Sequence, residues 1–195
     1  ASSKGHVDAA AIAEAFVDWH RHEGIRGAGA ATMKAIGELS FGHHWALVGR
    51  KGEMAAGNGA AIRIAPLAFA LDPNTRIGRL RIRDVARITH HSDEAYVGAL
   101  ALCVAIHGVC RSEHRGRPVD VAALASRLPD TRVRDRLFAL SEWRGSVEEA
   151  AAEFGTSGYV VESVPLAIWA ASNVRENDFR SLIEALVCLG GDCDS

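Results

Sequence analysis

With 195 residues, 48% of them hydrophobic and 24% charged, the chain has the make-up of one ordinary globular domain, long enough to remove about 70% of its unfolded surface from water. A net charge of −2 supplies no general cationic field, which argues against nucleic acid as the partner. Cys103, Cys110, Cys188 and Cys193 sit in or beside apolar stretches, and Ala1-Ser2-Ser3-Lys4-Gly5-His6 carries no targeting signal, so a reduced, cytoplasmic setting is expected.

Helical spacing begins early. Asp8 is placed to cap a first helix in which Ile12, Phe16 and Trp19 share one face. A second helix is expected from about Ala28 to Leu39, stopping before Ser40-Phe41-Gly42. The stretch from about His43 to Gly57 reads as a long loop, and loops of that length in compact domains tend to carry function. Ala60 to about Phe69 reads as helical despite Pro66, and Arg83 to His90 as another short helix. The arginines from Arg76 to Arg87 then form the polar side of a loop and that short helix.

Ser92, Asp93 and Glu94 make a good N-terminus for a helix to about Cys110 that is apolar nearly all round and therefore central. Its charge-free run, Tyr96 to Cys110, is short for a bilayer span. Pro118 and Pro129 bracket a short helix, and Asp130 or Thr131 starts one through Leu140. Ser146-Val147-Glu148-Glu149 fits a capping box. A helix from about Glu162 to Ser172 takes Pro165 in its first turn, and Asp178 caps the last, with Phe179, Leu182, Ile183 and Leu186 as its apolar stripe. No stretch sustains strand alternation, so the expectation is a single all-α domain over residues 1–195.

Chemistry-bearing residues collect at the helix ends. Gly190-Gly191-Asp192-Cys193-Asp194-Ser195 puts two carboxylates and a hydroxyl within four positions. That is a hard oxygen set of the kind Mg²⁺ and Mn²⁺ prefer, or else a solvated acidic tail after a glycine C-cap. Gly57-Asn58-Gly59, where the long loop meets a helix, suits either an anion-binding backbone or a plain Asn-Gly turn. Thr89-His90-His91-Ser92 stands at another junction, where a neutral imidazole can meet a ligand oxygen. Cys103, His107 and Cys110 share a helix face, a pattern more easily explained as core packing than as a zinc site, and His20 and His22 point in two directions. Nucleophile-elbow, Walker and dinucleotide fingerprints do not occur.

Taken together, Gly57-Asn58-Gly59-Ala60-Ala61-Ile62-Arg63-Ile64-Ala65-Pro66, Ile88-Thr89-His90 followed by an Ala/Gly-rich helix, Val161-Glu162-Ser163-Val164-Pro165-Leu166-Ala167 and Gly190-Gly191-Asp192-Cys193-Asp194-Ser195 resemble, in order, motifs of the ADP-ribosylglycohydrolase family, which includes dinitrogenase-reductase-activating glycohydrolase and the J1 crystallins. The resemblance runs from about Ala9 to Ser195. It implies an all-α fold that binds ADP-ribose beside two divalent ions, Mg²⁺ or Mn²⁺, and hydrolyses the glycosidic bond joining ADP-ribose to a protein side chain or small molecule. A non-catalytic, crystallin-like binder is the alternative.

By the same resemblance Asp192, Asp194 and Ser195 are metal ligands, Ser195 standing where threonine is usual. Gly57, Asn58 and Gly59 line the ADP-ribose cleft, His90 lies near the diphosphate, and Gly158 with Tyr159 packs against the adenosine. Family members normally open with a Thr-Asp-Asp metal motif and a catalytic acidic residue, and carry an apolar helix after the Asp-x-Asp motif. The sequence therefore reads as the interior of a family member, incomplete at both ends, and no residue is assigned as catalytic acid or base.

Overall fold

The computed structural model describes residues 7–111, 118–173 and 179–192. Helix starts follow the oxygens that the sequence offers to free backbone amides. Asp8 accepts from the Ala10 N–H at 2.9 Å to open α1 (Ala9–Glu23), and Thr75 accepts from Gly78 at 3.0 Å to open α5 (Arg76–Arg87). Asp120 caps α7 (Val121–Ala125) and Thr131 caps α8 (Arg132–Glu142). Ser146 and Glu149 complete their reciprocal box at the head of α9 (Val147–Phe154). The other helices are α2 (Ala30–Ser40), the short α3 (Gly59–Ile62) and α4 (Leu67–Ala70), α6 (Asp93–Arg111), α10 (Val160–Ser172) and α11 (Phe179–Cys188).

The apolar α6 is central, as its all-round pattern requires: α3, α4, α5, α7, α8 and α10 pack around it. Asp93–Cys110 is long and apolar enough to pass for a membrane span, contrary to the reading of its charge-free run, but here it is the core helix of a packed domain. Its own Val97 and Leu100 are fully buried, as are Ile64, Ile82, Ile88, Val133, Leu137 and Val160 from the surrounding segments. A smaller cluster, Leu140, Ala150, Leu166 and Trp169 with Leu182 and Leu186, seats α9 and α11 against α8 and α10.

Gly98 lets α6 and α10 pack closely, since a Cβ there would lie 2.3 Å from Val160 Cγ2. Gly98→Ala is expected to cost about 1–3 kcal/mol in urea unfolding by overpacking that crossing. A helix-propensity gain, with stability unchanged or raised, would show the crossing to be slack.

Several boundaries differ from the sequence expectation, each for a local reason. The stretch from His43 to Gly57 is not one structureless loop: β1 (Arg50–Lys51) pairs in parallel with β2 (His90–His91), followed by a 3-10 turn at Glu53–Ala55. Gly49 makes the pairing possible, because it has φ +89° and a Cβ there would meet Thr89 O at 2.6 Å. Strands of two residues leave no alternation to read. The expected Ala60–Phe69 helix is split into α3 and α4, as Pro66 has no N–H to continue the ladder and instead heads α4. The arginine-rich stretch is a single helix from Arg76 because Thr75 caps it, and it ends at Arg87, so His90 is in a strand. The α10 helix starts two residues before Glu162, which places Pro165 inside it. The expected cap Asp178 lies outside the described residues.

Candidate functional site

A cleft of about 470 Å³ opens between the end of α1, the start of α2, β1, α3 and the segments that precede α10 and follow α11. Its floor is tied together by the backbone. The Asn58 N–H donates to Gly158 O at 2.9 Å, the Val160 N–H donates to Ala56 O at 2.9 Å, and Gly57 and Tyr159 form an antiparallel bridge. The 57–59 loop is thus held by its hydrogen bonds to the segment that leads into α10.

Asp192 is fastened to the same floor. Its carboxylate Oδ2 accepts from Asn58 Nδ2 at 2.6 Å, and that amide also donates to Ser163 Oγ at 3.2 Å. The Asp192 N–H donates to Thr156 O at 2.9 Å. Gly191 allows this closeness: it has φ +77°, and a Cβ there would lie 2.4 Å from the Thr156 carbonyl oxygen. Among the described residues, no donor reaches Asp192 Oδ1, so one carboxylate oxygen keeps its full acceptor capacity.

His90 forms the wall opposite. It is 4% exposed, and a Cβ on Gly57 or Gly59 would come within 3.3 or 3.1 Å of its ring, so the two glycines leave room for the imidazole to face the cleft. Thr89 Oγ1 lies 2.6 Å from His90 Nδ1, and Arg63 Nη2 donates to the same hydroxyl at 2.6 Å. Arg63 is braced by donating to Gly59 O at 2.7 Å and, more weakly, to Val85 O and Ala86 O, and its guanidinium lies over the Phe16 ring. Burial first, then the nearby Arg63 and Arg50 charges, push His90 down to about 4, so the ring is neutral at physiological pH.

This depression has a sign that unfolding can test. An unfolded histidine takes up a proton near pH 6.5 and the folded one only near 4, so between these values the unfolded chain binds more protons. Stability contributed by neutral His90 is fully present above pH 6.5 and is lost as pH falls towards 4, by about 3 kcal/mol at most. Urea midpoints of the native chain should therefore fall more steeply between pH 6.5 and 4.5 than those of His90→Gln. Parallel curves would contradict the assigned protonation.

The remaining wall is built for anions. No side chain caps α2, whose N-cap is Gly29; the Met33 N–H donates to Gly29 O, and the three helix amides before it, of Ala30, Ala31 and Thr32, have no partner within the helix. Ala30, Ala31 and Thr32 of this first turn line the cleft, together with the 25–29 segment, Arg26 and Arg50. Free amides at the positive end of a helix dipole, flanked by two guanidinium groups, favour phosphate-type oxygens. Phe16, Trp19, Ile25, Met54 and Ile62 add an apolar portion to the same cleft.

Of the residues expected from sequence, Gly57, Asn58, Gly59, His90, Gly158 and Asp192 come together in this cleft. Tyr159 contributes its backbone to the floor, but its ring lies under the Arg132 guanidinium and is not part of the lining. Asp194 and Ser195 lie outside the described residues. The possible zinc face of α6 does not assemble. Cys103 is buried, its thiol pushed up to about 12 by desolvation, His107 Nδ1 is bonded to Ala68 O at 3.0 Å with Nε2 near Asp72, and Cys110 is exposed. Arg26 and Arg50 are not among the residues expected from sequence, while Arg63 and Thr89 are named there only inside longer motifs and Trp19 only as part of a helix face. The signal for the first wall was there in Gly24-Ile25-Arg26-Gly27-Ala28-Gly29, a glycine-rich link into a helix with no capping side chain.

Fold and site together define a class: an all-helical domain with a cleft at its helix ends suited to a phosphate-bearing, partly apolar ligand. Within that class, the chain belongs to the ADP-ribosylglycohydrolase family, whose model matches residues 1–195. It is 29% identical to the ADP-ribosylarginine hydrolase Tri1 of Pseudomonas putida (strain GB-1), over 99% of this chain and 51% of that protein. It is 30% identical to the human ADP-ribosylhydrolase ARH3, over 74% of this chain and 48% of that protein. An uncharacterized protein of Archaeoglobus fulgidus is 27% identical over 97% of this chain and 61% of its own length. The chain thus spans about half to three-fifths of the length of these relatives.

Proposed function

We propose that this protein hydrolyses the glycosidic bond between ADP-ribose and a modified protein side chain or small molecule, with divalent metal ions, Mg²⁺ or alternatively Mn²⁺, at Asp192, Asp194 and Ser195. The observation that carries the reading is the convergence on one cleft of a carboxylate, Asp192, with a neutral buried histidine and an uncapped helix start flanked by Arg26 and Arg50. ADP-ribose can use this combination: donors for its diphosphate, an apolar shelf for its nucleobase, and a carboxylate that meets its ribose hydroxyls directly or through a hard cation.

The donor chemistry fits a divalent ion. Asp192 is oriented by Asn58 through one oxygen, and its other oxygen accepts nothing from the described residues. Mg²⁺ takes few carboxylates and several other oxygens, so Asp192 with Asp194 and Ser195 suits one side of its shell. When bound, such an ion orients hydroxyls and activates water for attack on an anomeric carbon.

The chain's own residues supply binding and orientation. Amides at the start of α2, with Arg26 and Arg50, neutralise and hold the diphosphate, and His90 offers a neutral ring that adds no charge of its own. The fixed 57–59 floor keeps ligand and Asp192 in register, and such orientation accounts for much of the barrier lowering in reactions of this type.

Incubating the intact protein with ADP-ribosylated arginine and, separately, ADP-ribosylated serine should release ADP-ribose in Mg²⁺ or Mn²⁺ and none in EDTA. Release that is indifferent to chelation would remove the metal from the proposal. A second reading is a protein that binds ADP-ribose without cleaving it. It is favoured by one observation: Asp192 is the only carboxylate among the described residues that line the cleft. Tight binding with no release from either conjugate would establish it.

A further inference from the structure

We infer that Thr89 is a positioning residue that fixes His90 in the tautomer with hydrogen on Nε2, so that the cleft presents a neutral donor to an oxygen acceptor of the ligand. The geometry leaves little choice. Arg63 has only donors, so at 2.6 Å Thr89 Oγ1 must accept from it. The hydroxyl has one hydrogen of its own and no exposure to water, Thr89 being 0% exposed. Neighbouring carbonyls are already engaged: Val85 O takes the Ile88 N–H and Arg63, and Ala86 O takes the Thr89 N–H and Arg63. The remaining acceptor is His90 Nδ1, also 2.6 Å away.

With Nδ1 accepting, the ring hydrogen sits on Nε2. That nitrogen faces Gly57 and Gly59, lines the cleft and has no partner among the described residues. Were Nδ1 protonated instead, two donors would point at Thr89 Oγ1 and its own hydrogen would be stranded in the core, a cost a fully buried hydroxyl does not bear lightly. Arg63, which itself borders the cleft, thus also acts on the ligand through Thr89 and His90, a two-step hydrogen-bond relay of fixed direction.

This role rests on the ADP-ribose reading only for its effect on binding; the tautomer is a property of the ligand-free protein. Nitrogen NMR of the ¹⁵N-histidine-labelled chain, with the His90 signals assigned by their loss in His90→Gln, should show a pyridine-type Nδ1 and a protonated Nε2 in the native protein and in Thr89→Ser. The near-isosteric Thr89→Val should show tautomeric averaging, and should weaken ADP-ribose binding about tenfold while Thr89→Ser stays within about threefold of native. A protonated Nδ1 in the native chain overturns the assignment, even if Thr89→Val does not fold. An unchanged tautomer or unchanged affinity in a folded Thr89→Val overturns the role of Thr89. If no variant binds ADP-ribose but the tautomer responds as stated, the relay stands and the ligand assignment falls.

Discussion

Asp192→Asn in the intact protein is expected to abolish divalent-dependent release of ADP-ribose, by about 100-fold or more, while leaving the fold in place. Asparagine has the size of aspartate, and its carbonyl oxygen can still accept from Asn58 Nδ2, which donates to Asp192 Oδ2 at 2.6 Å. The floor contacts made by backbone, the Asp192 N–H to Thr156 O and the Asn58 N–H to Gly158 O, do not involve the side chain. What disappears is the negative charge, and a hard divalent ion holds a neutral amide oxygen far less well than a carboxylate. The comparison is single-turnover release in saturating Mg²⁺, with the unfolding midpoint of both proteins as control. Native-like release by the asparagine variant would remove Asp192 from the metal site.

Arg63→Met should be the most damaging single change to the fold around the cleft, costing about 2–4 kcal/mol through the buried acceptors it leaves without their charged donor. Methionine can replace the stem but none of the donors. Gly59 O loses its charged partner, Val85 O and Ala86 O lose their second donors, and Thr89 Oγ1 loses the donor that orients it. One guanidinium therefore joins α3, α5 and the strand bearing His90, and its position over the Phe16 ring adds α1. Burial lowers Arg63 to about 10, which still leaves it charged at neutral pH, so the hydrogen bonds at stake are charge-assisted. Arg63→Lys should rescue only part of the loss, because one ammonium cannot reach all the acceptors that the planar guanidinium fork serves, Gly59 O, Val85 O, Ala86 O and Thr89 Oγ1. Chemical denaturation of the three proteins measures this directly. A loss under about 1 kcal/mol for Arg63→Met would show the network to be dispensable.

How far the sequence disclosed this architecture can be followed residue by residue. Caps at Asp8 and Ser146, the pair Asp130 or Thr131 of which Thr131 is the cap, and the all-round apolar α6 were legible because each is local: a side-chain oxygen meets amides two or three positions away, or a pattern lies within one helix. The Gly57-Asn58-Gly59 loop, His90 and Asp192 were legible as motifs, and they do meet. What escaped was non-local. Strands of two residues carry no period, and β1 exists because Gly49 lets the chain approach Thr89 O. Arg63 gives no sign in sequence of reaching Thr89, 26 positions on. Arg26 and Arg50 become part of one wall only when α1 and α2 fold back beside α3. Tyr159 shows the converse: its position beside Gly158 suggested a ligand contact, but the ring turns to Arg132.

The claim on which the rest depends is that this cleft takes ADP-ribose, and a calorimetric titration of the chain with ADP-ribose, in Mg²⁺ and again in EDTA, tests it most directly. Saturable one-to-one binding that strengthens with Mg²⁺ and weakens in Asp192→Asn is the expected result. No heat at millimolar ADP-ribose under either condition, from a folded chain, would contradict it.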